Sequence, residues 1–196
     1  MIVDEQHERR LSRGLTRRIG LKVGDVDRPM AARVYTESDL PGLAGLVRFE
    51  WDALDAWYEE DEEIFLHPRN PYTRTDALRS TRQVRVELDG VLLAESRSPV
   101  LLFETGLPTR YYLDRTAVNF DVLEHTATES LCPYKGRTGD YWTVRTPTGS
   151  YPDLAWSYRY PSPAVAAITN LVAFYNEMVD TTVDGVRLDR PVTAFS

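Results

Sequence analysis

Between residues 83 and 159 the chain repeats one pattern, a short alternating apolar run followed by a cluster of turn formers. QVRVELDG and VLLAESRSP flank Asp89-Gly90, and an Asp-Gly pair between alternating runs is the strongest short-range hairpin signal. Further runs follow at Val100-Glu104, Arg110-Leu113, Asn119-Leu123, Asp140-Thr146 and about Leu154-Tyr158, separated by TGLPT, HTATES, CPYKGRTG and TPTGSYP. Such clusters are turn chemistry, so the spacing predicts a series of antiparallel strands. In PSPAVAAITNLVAFYNEMVD, Ser162 suits an N-cap, Pro163 suits a first turn, and Val165, Ile168, Leu171, Val172, Tyr175 and Val179 fall on one face. That pattern predicts a helix, after which TVDGVRL adds a strand. The expected class is mainly β (α+β), an antiparallel sheet folded over one packed helix.

The first eighty residues read differently. Residues 1–40 hold eight basic and seven acidic residues with weak periodicity, the pattern of a charged N-terminal arm, partly ordered at best. From Pro41, the residues Leu43, Leu46, Val47, Phe49, Leu54 and Trp57 recur at three- and four-residue spacing, which predicts a helix over 41–57 with Asp39 as its cap. LVRFEWDALD at 46–55 aligns without gaps on LVAFYNEMVD at 171–180, and each is followed by a short strand-like run and a proline. The expected organisation is therefore an arm at 1–40, a degenerate partial repeat of helix plus strand at 41–80, and a complete sheet-plus-helix domain at 81–196.

Charge and composition narrow the function classes. The formal net charge is −7, and eight acids without a Lys or Arg lie between Glu50 and Glu63. An acidic chain without a basic, aromatic-laced face lacks the footprint of a nucleic-acid binder. No stretch approaches the run of about twenty apolar residues that a membrane helix needs, and the first thirty residues lack the apolar core of a signal peptide, so a soluble cytoplasmic protein is expected. The single cysteine excludes an intramolecular disulfide, and His7, His67 and His125 are scattered. No Cys/His metal cluster and no cofactor is evident.

Two signals point to a site. The first is CPYKG, which carries the only cysteine and one of just two lysines in a chain that otherwise uses arginine. An ammonium three residues from Cys132 would favour its thiolate, with His125 and Glu129 near enough in sequence to serve as base or orienter; the alternative is a small buried cysteine at a proline turn. Lys135 itself is a compact, steerable charge suited to a ligand anion or carbonyl. The second signal is aromatic density between 111 and 160. Alternation along strands would send some of Tyr112, Tyr134, Trp142 and Trp156 to a concave face together with Arg110 and Asp153, where rings with polar tips suit a flat ligand. His67, in LHPRNPY, reads as a turn residue.

Taken together, VRVELDGVLLAES, PVLLFETGLPTRYYL, SLCPYKGRTGDYWTV, DLAWSYRYPSP and the LVAFYNE segment resemble a bacterial domain-of-unknown-function family, number 427. The resemblance covers roughly residues 43–196, and it implies a strongly bent, tent-like antiparallel sheet sheltering a small pocket. Longer relatives carry two such units in tandem, whereas this chain has an arm where their first sheet would lie. A nucleotidyltransferase label is attached to the family. Its chemistry would need paired carboxylates for Mg²⁺ and a phosphate-binding loop; no Gly-rich loop is present, and Asp140 with Asp153 is the carboxylate pair to consider. The leading expectation is a binder of a small flat or anionic ligand, in a pocket lined by aromatics and Lys135. The alternatives are an enzyme, either Mg²⁺-dependent or Cys132-dependent, and a protein–protein interaction module forming a homodimer through the 41–57 helix.

Overall fold

The Asp89-Gly90 turn closes a hairpin of Val84–Leu88 on Val91–Ser96 in the computed structural model, which describes residues 2–196, with side chains from His7 onward. Asp89 and Gly90 have φ of 53° and 78°, the type I′ geometry whose twist matches the flanking strands. The Asp89 carboxylate accepts hydrogen bonds from the hydroxyls of Thr146 (2.8 Å), Thr148 (2.6 Å) and Tyr151 (2.6 Å), which ties this turn to a later one.

By internal packing the chain divides into two units, residues 58–62 with 69–196, and residues 1–57 with 63–68. The larger unit is built from antiparallel sheets. Four strands run in the order Leu123–Thr126, Asp140–Arg145, Ser150–Ser157 and Val172–Phe174; three run in the order Arg110–Tyr112, Val100–Glu104 and Thr75–Arg79. The Asp89 hairpin extends through Asp180–Val183 to Val186–Arg187, and the short strands Leu131–Cys132, Gly136–Arg137 and Tyr160–Pro161 form a small sheet.

The central four-stranded sheet separates two cores. Across it, Tyr141 pairs with Trp156 and Trp156 with Ala173, and this row belongs to one buried cluster with Val100, Leu102 and Tyr112. The adjacent row, Trp142, Ala155 and Phe174, belongs to a second cluster with Val84, Leu93 and Leu154. Successive side chains on a strand point to opposite faces, so a one-residue step changes which core a ring enters.

The expected helix over 163–180 does not form. Pro163–Ile168 is a short 3-10 segment interrupted at Val165, Val172–Phe174 is a strand on the central sheet, and Asp180–Val183 is another strand. The Ser162 hydroxyl donates to the Tyr134 carbonyl (2.5 Å) instead of capping a helix. Asn170 at φ 60° breaks the run, and Val172, one of the residues that read as a helical face, pairs with Ser157, followed by Ala173 with Trp156 and Phe174 with Ala155. Sheet pairing has overridden a short-range helical pattern.

The smaller unit holds further departures from expectation. Residues 2–37 are three long strands, Ile2–Leu11, Gly14–Val23 and Val26–Glu37, joined by two-residue turns, with Val47–Phe49 as a fourth. Their core is small, with Thr16, Ile19, Ala31, Ala32 and Tyr35 buried. Arginine fills many outward positions and hides the alternation. Arg18 and Arg33 are direct cross-strand neighbours, and Glu50 accepts from both, which relieves their repulsion.

Residues 41–57 are not helical either. Gly42 and Gly45 adopt φ of 78° and 86°, which a helix excludes; the chain then forms the strand Val47–Phe49 and a 3-10 turn at Trp51–Ala53. The aromatics of the expected stripe still meet, since Trp51 stacks on Trp57 at 4.7 Å and 7°, and Phe49 lies edge-on to Trp57 at 6.5 Å. The two aligned decapeptides thus share a local form, a short strand followed by a tight turn.

Candidate functional site

Beneath the Tyr141–Trp156 row, the larger unit encloses a cavity of about 870 Å³, within the range of small-molecule sites. Trp156, Tyr141, Tyr158 and Tyr175 form much of its wall. Tyr134 and Phe195, 68% and 51% exposed, stand where it meets solvent.

The turn at residues 133–135 carries Lys135 into this space. Cys132 pairs with Gly136 across the turn, and Gly136 pairs in turn with Pro161. The Ser162 backbone N–H donates to the Lys135 carbonyl at 2.9 Å, which fixes the loop from its other side. So held, Lys135 Nζ donates to both oxygens of Glu104, at 2.7 and 2.8 Å, with the two side chains only 13% and 9% exposed.

A second ion pair lies deeper. Arg110 Nη1 and Nη2 donate to the two Glu177 oxygens at 2.6 and 2.7 Å, a fork that fixes geometry as well as charge. The guanidinium lies 5.8 Å from the Trp156 ring centre, 5.6 Å from that of Tyr175 and 6.0 Å from that of Phe195. Burial pushes the Glu177 carboxyl upward, but the Arg110 and Thr193 hydrogen bonds outweigh it and hold the group below its ordinary range. Arg74, the third cation of the lining, has Nε 2.9 Å from Asp76 Oδ2, so all three are already matched by carboxylates.

Three phenols in and behind the wall keep their protons to higher pH than usual. Burial pushes Tyr175 up to about 12, with the nearby Tyr141 adding to it, and burial also raises Tyr158 and Tyr112. They are hydrogen-bonding groups on apolar rings: Trp156 Nε1 donates to the Tyr112 hydroxyl at 3.1 Å, and the Tyr141 and Ser130 hydroxyls share a 2.8 Å hydrogen bond.

Among the residues singled out from sequence, Arg110, Cys132, Tyr134, Lys135 and Trp156 line the cavity. Tyr112 is fully buried behind Trp156, rings edge to face at 6.3 Å, and supports the wall from outside. Trp142 lies on the other face of its strand, packed against Phe120 and His125 with Arg115 over its ring. Asp153 accepts from the Thr126 and Thr128 hydroxyls at 2.6 and 2.7 Å and does not line the cavity.

His125 is likewise drawn elsewhere, with Nε2 at 3.2 Å from Asp140 Oδ1, a carboxylate that also pairs with Arg159 and Arg115. Cys132 makes no hydrogen bond to a basic side chain among the described residues, and His125 does not line the cavity beside it. Asp140 and Asp153 are held by different partners, Asp140 by His125, Arg115 and Arg159 and Asp153 by the hydroxyls of Thr126 and Thr128. Neither carboxylate of the pair considered for Mg²⁺ lines the cavity.

Glu104, Glu177 and Phe195 were invisible to sequence reasoning. Glu104 ends an apolar strand and Glu177 sits in a run resembling a helix, and neither has a local partner. The one available signal was an isolated acid within each apolar run.

The fold and cavity define a class: a β protein of stacked antiparallel sheets whose aromatic wall encloses a chamber with its charges internally paired. Residues 76–185, more than half of the chain, match the family described as Domain of unknown function (DUF427), and the chain belongs to that family. The match takes in Glu104, Arg110, Lys135, Trp156 and Glu177 but not Phe195. A search of curated proteins returned no match.

Proposed function

We propose that the protein binds a small, flat, uncharged organic molecule in the cavity walled by Trp156, Tyr141, Tyr158 and Tyr175. One observation carries this reading: the cavity is aromatic, and its three cations Lys135, Arg110 and Arg74 are each matched by a carboxylate, Glu104, Glu177 and Asp76. An anion entering beside Lys135 meets the Glu104 charge at close range, whereas an uncharged ring gains apolar burial without that repulsion. Flat ligands are thereby favoured over anionic ones, and the triphosphate chemistry of a nucleotidyltransferase finds no unpaired cation among the lining residues. A thermal-shift screen of flat heterocycles against nucleotides and pyrophosphate, with and without Mg²⁺, tests the reading. A ligand at 100 times its Kd stabilises the folded state by about 2.7 kcal/mol. Stabilisation by triphosphates alone, dependent on Mg²⁺, would reverse it.

The tent-like bend of the sheet, a bacterial origin and a cytoplasmic setting accompany this reading as the family resemblance and the single thiol suggest. The shared strand-and-turn form of residues 46–55 and 171–180 supports descent from a duplicated unit. A second copy of the chain is the alternative partner; its contact would lie at the exposed Leu46 and Val47 rather than on a helix.

A further inference from the structure

The binding reading leaves the chemical class of the ligand open, and the Lys135–Glu104 pair narrows it. We propose, resting on that reading, that this pair recognises the lactam edge of a flat heterocycle, the ring N–H beside a ring C=O found in oxidised purines, pyrimidines and alloxazines. An ammonium has three protons and a carboxylate has about four lone-pair sites. The pair uses two protons and two oxygens on itself, at 2.7 and 2.8 Å. Neither side chain makes another hydrogen bond among the described residues, although Glu104 is 9% and Lys135 13% exposed and both line the cavity.

What remains on offer is one N–H donor and carboxylate acceptor sites, side by side, with no net charge. A lactam presents the complement, its C=O accepting from Lys135 and its N–H donating to Glu104. Such an edge satisfies both groups without displacing either from the other. A phosphate or carboxylate would satisfy Lys135 but confront Glu104, and a pure hydrocarbon would bury both unsatisfied. Sites that hydrogen-bond a ligand reject analogues lacking the matching group far more strongly than apolar pockets sort by size. The Trp156 and Tyr141 rings flank the same space and suit stacking on such a ring system.

The test uses the full chain and Trp fluorescence or calorimetry with lumichrome, hypoxanthine and xanthine, compared with counterparts methylated on the lactam nitrogen, with acridine as a flat ring lacking the edge, and with pyrophosphate. The expected result is that methylation weakens binding by about tenfold or more, and that Glu104→Gln and Lys135→Met each reduce that discrimination. Equal binding of lactams, methylated forms and acridine overturns the lactam assignment and leaves the flat-ligand cavity standing. Binding of none of the rings overturns both. Pyrophosphate binding that is lost in Lys135→Met overturns both in favour of an anion site. The comparison of methylated with unmethylated ligands is made on the unmodified protein, so the outcome is decided even where a variant fails to fold.

Discussion

Lys135 and Glu104, thirty-one residues apart, meet with both carboxylate oxygens within 2.8 Å of one ammonium. Neither belongs to a local motif that includes the other: Glu104 ends the strand Val100–Glu104 and Lys135 lies in a turn of a different sheet. A half-satisfied ion pair in a mostly buried setting is worse than none, because the survivor keeps its desolvation cost. Lys135→Met is therefore expected to lower unfolding free energy by about 3 kcal/mol. The double variant Glu104→Leu with Lys135→Met should recover part of that loss. Urea midpoints of the two singles and the double check this, and strictly additive losses would contradict it.

Glu177 should govern the acid side of the stability profile. Its carboxyl titrates below the ordinary value in the folded protein, burial notwithstanding, because Arg110 and Thr193 hold the ionised form. A lowered folded value means the contribution is present above the ordinary value of about 4.3 and disappears as pH falls through the folded one. Melting temperature should drop as pH falls from about 5, and the drop should be shallower in Glu177→Gln.

The buried phenols act at the alkaline end. Tyr175 is pushed up to about 12 by burial, and Tyr158 and Tyr112 are raised in the same direction. Above the ordinary value near 10, the unfolded chain releases protons that the folded chain keeps, so stability falls as pH rises. Absorbance at the phenolate band should show a late group of tyrosines that ionises only near pH 12 or with unfolding. Titration of all tyrosines together near 10 would count against the buried wall.

Phe195 lends a ring to the cavity from the last residues of the chain, 6.0 Å from Tyr175 and half exposed. Phe195→Ala should weaken binding of a flat ligand by roughly 1 kcal/mol, about fivefold. Unfolding free energy should change by less than about 0.5 kcal/mol, as for a surface substitution. A large stability loss with unchanged binding would assign Phe195 to the core instead.

Gly14 tests the strand meander of the smaller unit. It has φ 142°, and a Cβ there would stand 2.0 Å from the Glu37 carbonyl oxygen. Gly14→Ala should cost about 2–3 kcal/mol, since backbone on both sides must move. At Gly24, with φ 57° and nothing within 4 Å, alanine should cost about 1–2 kcal/mol. Chemical denaturation of both variants gives the comparison.

The sequence made the Asp89-Gly90 hairpin and most strands between 84 and 157 legible, because their turns carry residues that few other conformations tolerate. The segments that misled are those where spacing and pairing disagree. Val165, Ile168, Val172 and Val179 repeat at helical intervals, yet Val172 answers to Ser157 across a ladder, information that lies fifteen residues away. The opening strands were hidden by arginines whose partner, Glu50, lies beyond them in the chain. At the site, aromatic density and Lys135 were visible locally. Glu104, Glu177 and the sorting of Trp142 from Trp156 depend on which strand meets which.

That sorting also bears on how such a protein can change over generations. Tyr141, Trp156 and Ala173 form a row on one face of the central sheet, and Trp142, Ala155 and Phe174 form the neighbouring row on the other. Substitutions at Tyr141 and Trp156 of the first row reshape the chamber, while the second row keeps the interior that holds the strands together. The chamber wall can therefore change at alternate positions while the scaffold stays insulated one residue away.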